Sequence, residues 1–142
     1  LLATVLILPH RSLAECITYP VRRLFIGSSD VAVARVVSVA GFERTVSPGR
    51  SVFITVEATL SVERRFLGRG PSTITVVQTG DGIDLLKDHR YLVFVRSDGN
   101  KLYNSSCATL PLEEAGAALS QLRRRAWLWR IERRVSMWRH ER

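Results

Sequence analysis

From Val52 to Val62 every even position is apolar: Val52, Ile54, Val56, Ala58, Leu60 and Val62. Phe53 apart, the odd positions are Thr55, Glu57, Thr59, Ser61 and Glu63. A repeat of two kept over eleven residues is met by a long strand with one buried face. Gly68-Arg-Gly-Pro71 then breaks the chain, and Ile74 to Val77 opens a second β-branched run. Two such strands with no helical pattern between them predict an antiparallel sheet.

The neighbouring segments extend that sheet. Val21–Ile26 reads as a short helical turn ending at Gly27-Ser-Ser-Asp30. Val31–Val39, dense in valine, reads as a first strand covered on both faces. Gly41–Arg50, with Pro48-Gly49, reads as a loop or hairpin connection. Gln78–Gly82 is a turn and Ile83–His89 an irregular link. Arg90–Val95 is a fourth strand in which Leu92 and Phe94 share a face. Ser97-Asp-Gly-Asn100 is a hairpin signal, because Asp-Gly suits positive φ. Lys101–Ser106 returns as a fifth strand. Thr109-Leu-Pro-Leu-Glu-Glu114 reads as a helix start, with Pro in the first turn and carboxylates near the positive end of the dipole. The expected fold is all-β with a C-terminal helix: a five-stranded OB-fold Greek-key barrel. An open meander packed on the helix is the alternative. Closure is favoured because the first two strands carry more apolar residues than one covered face requires.

At 142 residues the chain forms one domain with room for a real core. Its net charge of +8 is uneven. Residues 123–142 hold eight arginines against two glutamates, leaving thirteen Lys and Arg against eleven Asp and Glu elsewhere. The basic character therefore belongs to the C-terminal stretch, and the high isoelectric point is no argument for nucleic-acid binding by the body.

Leu1–Leu8 is an apolar run, followed by Pro9 to Ala14 with small residues at Ser12 and Ala14. This fits the later parts of a secretory signal peptide, with cleavage after Ala14 leaving Glu15 first. A hydrophobic first strand is the competing reading. A transmembrane helix is excluded for this run, since eight apolar residues fall far short of the roughly 20 needed. The expected division is thus a signal remnant at 1–14, a barrel domain at 15–122 and a basic helical extension at 123–142. The two cysteines, Cys16 and Cys107, read as one disulfide if the chain is exported and as two reduced thiols if it is not.

No catalytic constellation stands out. His89 is the one histidine in the body, and it reads as a solvated loop residue. Asp81, Asp84 and Asp88 lack calcium-loop spacing. Gly68-Arg-Gly-Pro71 lacks the Lys-Ser/Thr ending of a phosphate loop. Asn104-Ser-Ser106 is a formal glycosylation acceptor. No enzyme activity, cofactor or metal is expected.

The C-terminal stretch is more informative. Leu119, Leu122, Ala126 and Trp129 step at three- and four-residue intervals. Leu128, Ile131, Val135 and Trp138 make a second stripe, read as neighbouring the first, with arginines in the remaining directions. A long basic amphipathic helix is predicted. Arg123, Arg124, Trp127, Trp129, Arg130, Arg134 and Trp138 are its candidate contacts with an anionic membrane or an acidic partner. The competing reading packs the first half on the barrel and leaves the rest as a solvated extension. A third function, single-strand binding by an OB face, has only Phe53, Tyr91 and Tyr103 to stack bases on, with no basic stripe beside them, and nucleic acid is not expected.

Taken in order, Asp30–Val39, Val62-Glu-Arg-Arg-Phe-Leu-Gly68, Ile74–Val77, Arg90–Val95, Asp98-Gly99, Ser105-Ser-Cys107 and Leu110-Pro-Leu-Glu-Glu114, behind an early cysteine, resemble the netrin-like domain. The resemblance is in particular to bacterial proteins related to the tissue inhibitors of metalloproteinases, and covers roughly residues 16 to 122. It implies an OB barrel, a Cys16–Cys107 bridge pinning the N-terminal segment, and a protein-binding edge at Cys16, Ile17, Thr18 and Tyr19. The animal inhibitors chelate a protease's zinc with an N-terminal Cys-x-Cys. Here Thr18 stands two after Cys16, Glu15 precedes it, and residues 80–86 lack the further cysteine that relatives often carry there. The expectation is an exported, non-enzymatic protein-binding domain, resembling metalloprotease inhibitors without zinc chelation.

Overall fold

The computed structural model describes residues 20–46, 52–80 and 85–140, with side chains except at 41–46, 52–55, 79–80 and 106–107. The signal-segment expectation, Cys16–Tyr19, the side chain of Cys107, Asp81 and Asp84 lie outside the described residues. In chain order the elements are α1 (Val21–Ile26), β1 (Asp30–Val46), β2 (Val52–Leu67), β3 (Thr73–Gly80), β4 (Arg90–Asp98), β5 (Lys101–Pro111), a 3₁₀ turn (Leu112–Glu114) and α2 (Gly116–His140).

The five strands form a closed barrel in the order β1-β2-β3-β5-β4, with β4 pairing back to β1. All neighbouring pairs are antiparallel except β3 and β5, whose residues 76–79 and 102–105 run parallel. This is the OB order, and the open meander is set aside. Closure depends on β1 pairing on both edges, to β2 along its length and to β4 through residues 30–35. Four register shifts against β2, the first between Val31 and Ala32, coil β1 enough to do so.

Three expected boundaries move. Gln78–Gly80, read as the start of a turn, ends β3, paired with Val56, Thr55 and Ile54, because the long β2 partner runs on beside it. The 41–46 segment, read as part of a connection, is strand: Phe42, Thr45 and Val46 pair with Val56, Phe53 and Val52. A long antiparallel partner here outweighs Gly41 and the charges of Glu43 and Arg44. The helix also starts later than expected. Pro111 is the last residue of β5, opposite Tyr91, and α2 begins only after the 3₁₀ turn. Proline at a strand end costs no essential ladder donor.

Where side chains are described, the alternation of β2 is buried on the expected face, fully at Val56, Ala58 and Leu60 and partly at Val62. Val56, Ala58 and Leu60 face the barrel interior, joined there by Val36, Ile74, Val76, Leu85, Tyr91, Val93 and Val95. A second apolar layer lies outside the barrel wall, where Val31, Val33, Phe66, Leu92 and Phe94 meet Phe25 of α1 and the inner face of α2. β4 is therefore buried on both faces. Each large side chain so enclosed contributes about 1.5–3 kcal/mol relative to exposure.

The β4–β5 ladder slips beside Phe94: Val93 pairs with Thr109, while Val95 pairs with Asn104. Residues 105–108, including the backbone of Cys107, bulge between. Asn104 fastens the bulge from inside, donating through Nδ2 to the Phe94 carbonyl at 3.0 Å. Thr109 Oγ1 donates to Asn104 Oδ1 at 2.6 Å, and Gln78 Nε2 donates to the same oxygen at 3.2 Å. Asn104 is 2% exposed, so the formal glycosylation acceptor is a buried structural amide. Gly68, at φ +98°, closes β2 where an added Cβ would lie 2.1 Å from Asp30 Oδ1.

Candidate docking surface

Residues 116–140 are rich in Arg, Ala and Leu, which lose little rotamer freedom in a helix. Glu113 and Glu114 precede the positive end of α2, and Arg139 with His140 occupies its last turn, charges that suit the dipole. The helix has two distinct apolar faces.

The inner face is set by Ala118, Leu122, Ala126 and Trp129, all buried. Trp129 is 4% exposed, and its ring lies 5.6 Å from that of Phe25, tilted by 57°. Three polar attachments follow within four residues. Arg130 donates through Nε and Nη2 to the Phe66 carbonyl at 3.1 and 2.6 Å. Arg133 Nε donates to the Ser28 carbonyl at 3.1 Å. Arg22 of α1 grips Glu132 with two bonds, Nε to Oε2 at 3.0 Å and Nη2 to Oε1 at 2.8 Å. That grip holds the Glu132 carboxyl below the usual carboxylate range, the hydrogen bond being the larger cause. Packing on the body thus continues past Leu122 to Arg133, beyond the expected division at 122/123.

The outer face carries Trp127, Leu128, Ile131, Val135 and Trp138, all exposed; Trp127 is 58% and Trp138 72% accessible. At about 100° per residue this stripe sits opposite the inner one, not beside it as the sequence reading had it. Ile131, Arg134, Val135, Trp138 and Arg139 line a shallow concavity along it. By the same geometry Arg123 and Arg134 border the stripe on one flank, Arg125 and Arg139 on the other, and Arg124 sits within it. The only acidic residue of α2 is Glu132, which faces Arg22.

Of the seven expected helix contacts, the structure brings Arg123, Arg124, Trp127, Arg134 and Trp138 to the outer side. Two are corrected. Trp129 is a core residue, because its position in the helical repeat faces the barrel wall. Arg130 spends its guanidinium on the Phe66 carbonyl and fastens the helix. Sequence reasoning missed Arg133 and the Arg22–Glu132 pair. Glu132, a lone carboxylate among seven helical arginines, was the available signal for the pair.

Elsewhere the groups are structural or solvated. Glu63 is held by Arg90, with Arg35 at 3.5 Å, and the hydrogen bond from Arg90 lowers its pKa most. His89 is exposed beside Asp88, whose φ of +66° makes the turn into β4. Tyr91, considered above as a base-stacking residue, is buried with its hydroxyl accepting from the Leu86 N–H at 3.0 Å. Among the described residues no group of three His, Cys, Asp or Glu converges on a metal-sized site, and no helix is long and apolar enough to cross a membrane. The sequence matches no protein-family model and no curated protein.

Proposed function

We propose that this chain is an exported, non-enzymatic docking module, in which the OB barrel is a rigid base and the outer face of α2 is the contact surface. One observation carries the reading: a single helix is apolar on two opposed faces, and among the described residues only one of them is covered. Five large apolar side chains on the other face stay in water, a contiguous patch of the kind that marks an interaction site. The attachments at Arg130, Arg133 and Glu132 hold the helix so that this face is presented in a fixed orientation.

The test compares the full chain with a Trp127→Gln/Ile131→Gln/Trp138→Gln variant in zwitterionic detergent micelles, which offer an apolar surface without net charge. The expected result is a blue-shifted tryptophan emission and micelle association for the native chain, lost in the variant while its circular dichroism is unchanged. Equal association by both proteins contradicts the reading.

A second reading keeps the resemblance to metalloproteinase inhibitors, and the closed OB order supports it. In it Cys16, Ile17, Thr18 and Tyr19 form the protease-facing edge, tied back by a Cys16–Cys107 disulfide and without zinc chelation. Pro20, the first described residue, opens α1 by accepting the N–H groups of Arg23 and Leu24 on its carbonyl, so the edge joins the body at α1. Inhibition of a metalloprotease panel, measured with protein carrying its exported N-terminus, checks this. No inhibition at micromolar concentration removes it.

A further inference from the structure

We infer that the outer face of α2 takes an anionic lipid surface, with the helix lying in the plane of the headgroups. This rests on the docking reading above and names its occupant. Arg123, Arg124, Arg125, Arg134 and Arg139 lie around the stripe; Glu132, the one carboxylate of α2, falls by the same geometry on the Arg125 and Arg139 flank, but its charge is matched by Arg22. A surface that complements this face must be anionic where it meets the flanks and apolar where it meets Trp127, Ile131 and Trp138. A layer of anionic lipids has that profile. Trp127 and Trp138 are placed three turns apart, on the side of the stripe nearest Arg134, where an amphipathic ring meets both acyl chains and headgroups.

Shape points the same way. The stripe spans roughly 100° of the helix and points away from the barrel, so a flat surface can touch it along its length of about 17 Å from Trp127 to Trp138. The apolar face is too narrow for insertion across the layer, which restricts the helix to lying on it. A second copy of the chain fits less well. Two such faces in contact would bring two sets of arginines together with only Glu132, already matched by Arg22, to offset them, and the wide, mixed stripe is not the narrow seam of a coiled coil.

The experiment is co-sedimentation of the full chain with phosphatidylcholine vesicles, with and without phosphatidylglycerol, at low and high salt. Partitioning is expected to rise at least tenfold with phosphatidylglycerol and to fall with salt, as screening dictates. Arg123→Gln/Arg134→Gln/Arg139→Gln should lose about fivefold for each arginine removed. Arg69→Gln/Arg96→Gln/Lys101→Gln, which removes equal charge from exposed barrel positions, should bind as the native chain does. Partitioning that ignores phosphatidylglycerol, or that drops equally in both variants, overturns the inference. Micelle association without anionic-vesicle binding would sink the lipid assignment and leave the docking reading intact. Concentration-dependent dimerisation abolished by the Trp127, Ile131 and Trp138 substitutions would assign the face to a second copy instead. Saturable binding to polyglutamate without vesicle binding would assign it to an acidic polypeptide.

Discussion

Trp127 and Trp129 stand two residues apart, which on a helix turns their side chains about 200° from each other. One is 58% exposed and the other 4%, the latter against Phe25. The energetic consequence is large. Trp129→Ala leaves a cavity between α2, α1 and the barrel wall, and should cost about 3–5 kcal/mol. Trp127→Ala removes no buried contact and should fall within about 0.5 kcal/mol of the native chain. Denaturant unfolding of the two variants checks this; similar losses for both would contradict the assignment of faces. The sequence named both tryptophans as surface contacts. The spacing of Leu122, Ala126 and Trp129 already grouped Trp129 with the packing stripe, but periodicity alone does not say how far along a helix the packing continues. Buried partners from α1, 100 residues away, extend it.

At the level of elements, the features most legible in the sequence were those governed by short-range periodicity. β2 is found where the alternation from Val52 to Val62 places it, and Asp98-Gly99 turns the β4–β5 hairpin, with Gly99 at φ +59°. Boundaries set by a distant partner were harder. The 41–46 end of β1 contains Gly41, Glu43 and Arg44, and becomes strand only because residues 52–56 pair with it. Leu110-Pro-Leu-Glu-Glu114 looks like a helix start, yet Leu110 and Pro111 are claimed by pairing with Leu92 and Tyr91, so the helix waits until Gly116. α2 itself was legible as helix with two stripes. Their opposition follows once both are placed at 100° per residue, and the cover over one of them depends on the barrel wall at Val31, Phe66, Leu92 and Phe94.

At the scale of the molecule, the barrel and the helix share one wall. β4 supplies Tyr91, Val93 and Val95 to the interior and Leu92 and Phe94 to α2, so the strand that closes the cylinder also seats the helix. The surplus of apolar residues noted in the early strands has the same cause in β1, where Val31 and Val33 face outward to the helices and Ala34 and Val36 face inward. A body built this way fixes the direction in which the outer face of α2 looks, and the docking surface depends on that direction. The most direct measurement is acrylamide quenching of three proteins that each retain one tryptophan, Trp127, Trp129 or Trp138, the other two being replaced by Phe. The account predicts blue emission and strong protection for Trp129, with red emission and near-free quenching for Trp127 and Trp138. A shielded Trp127 or Trp138 in the free chain, or a Trp129 quenched as readily as they are, would contradict it.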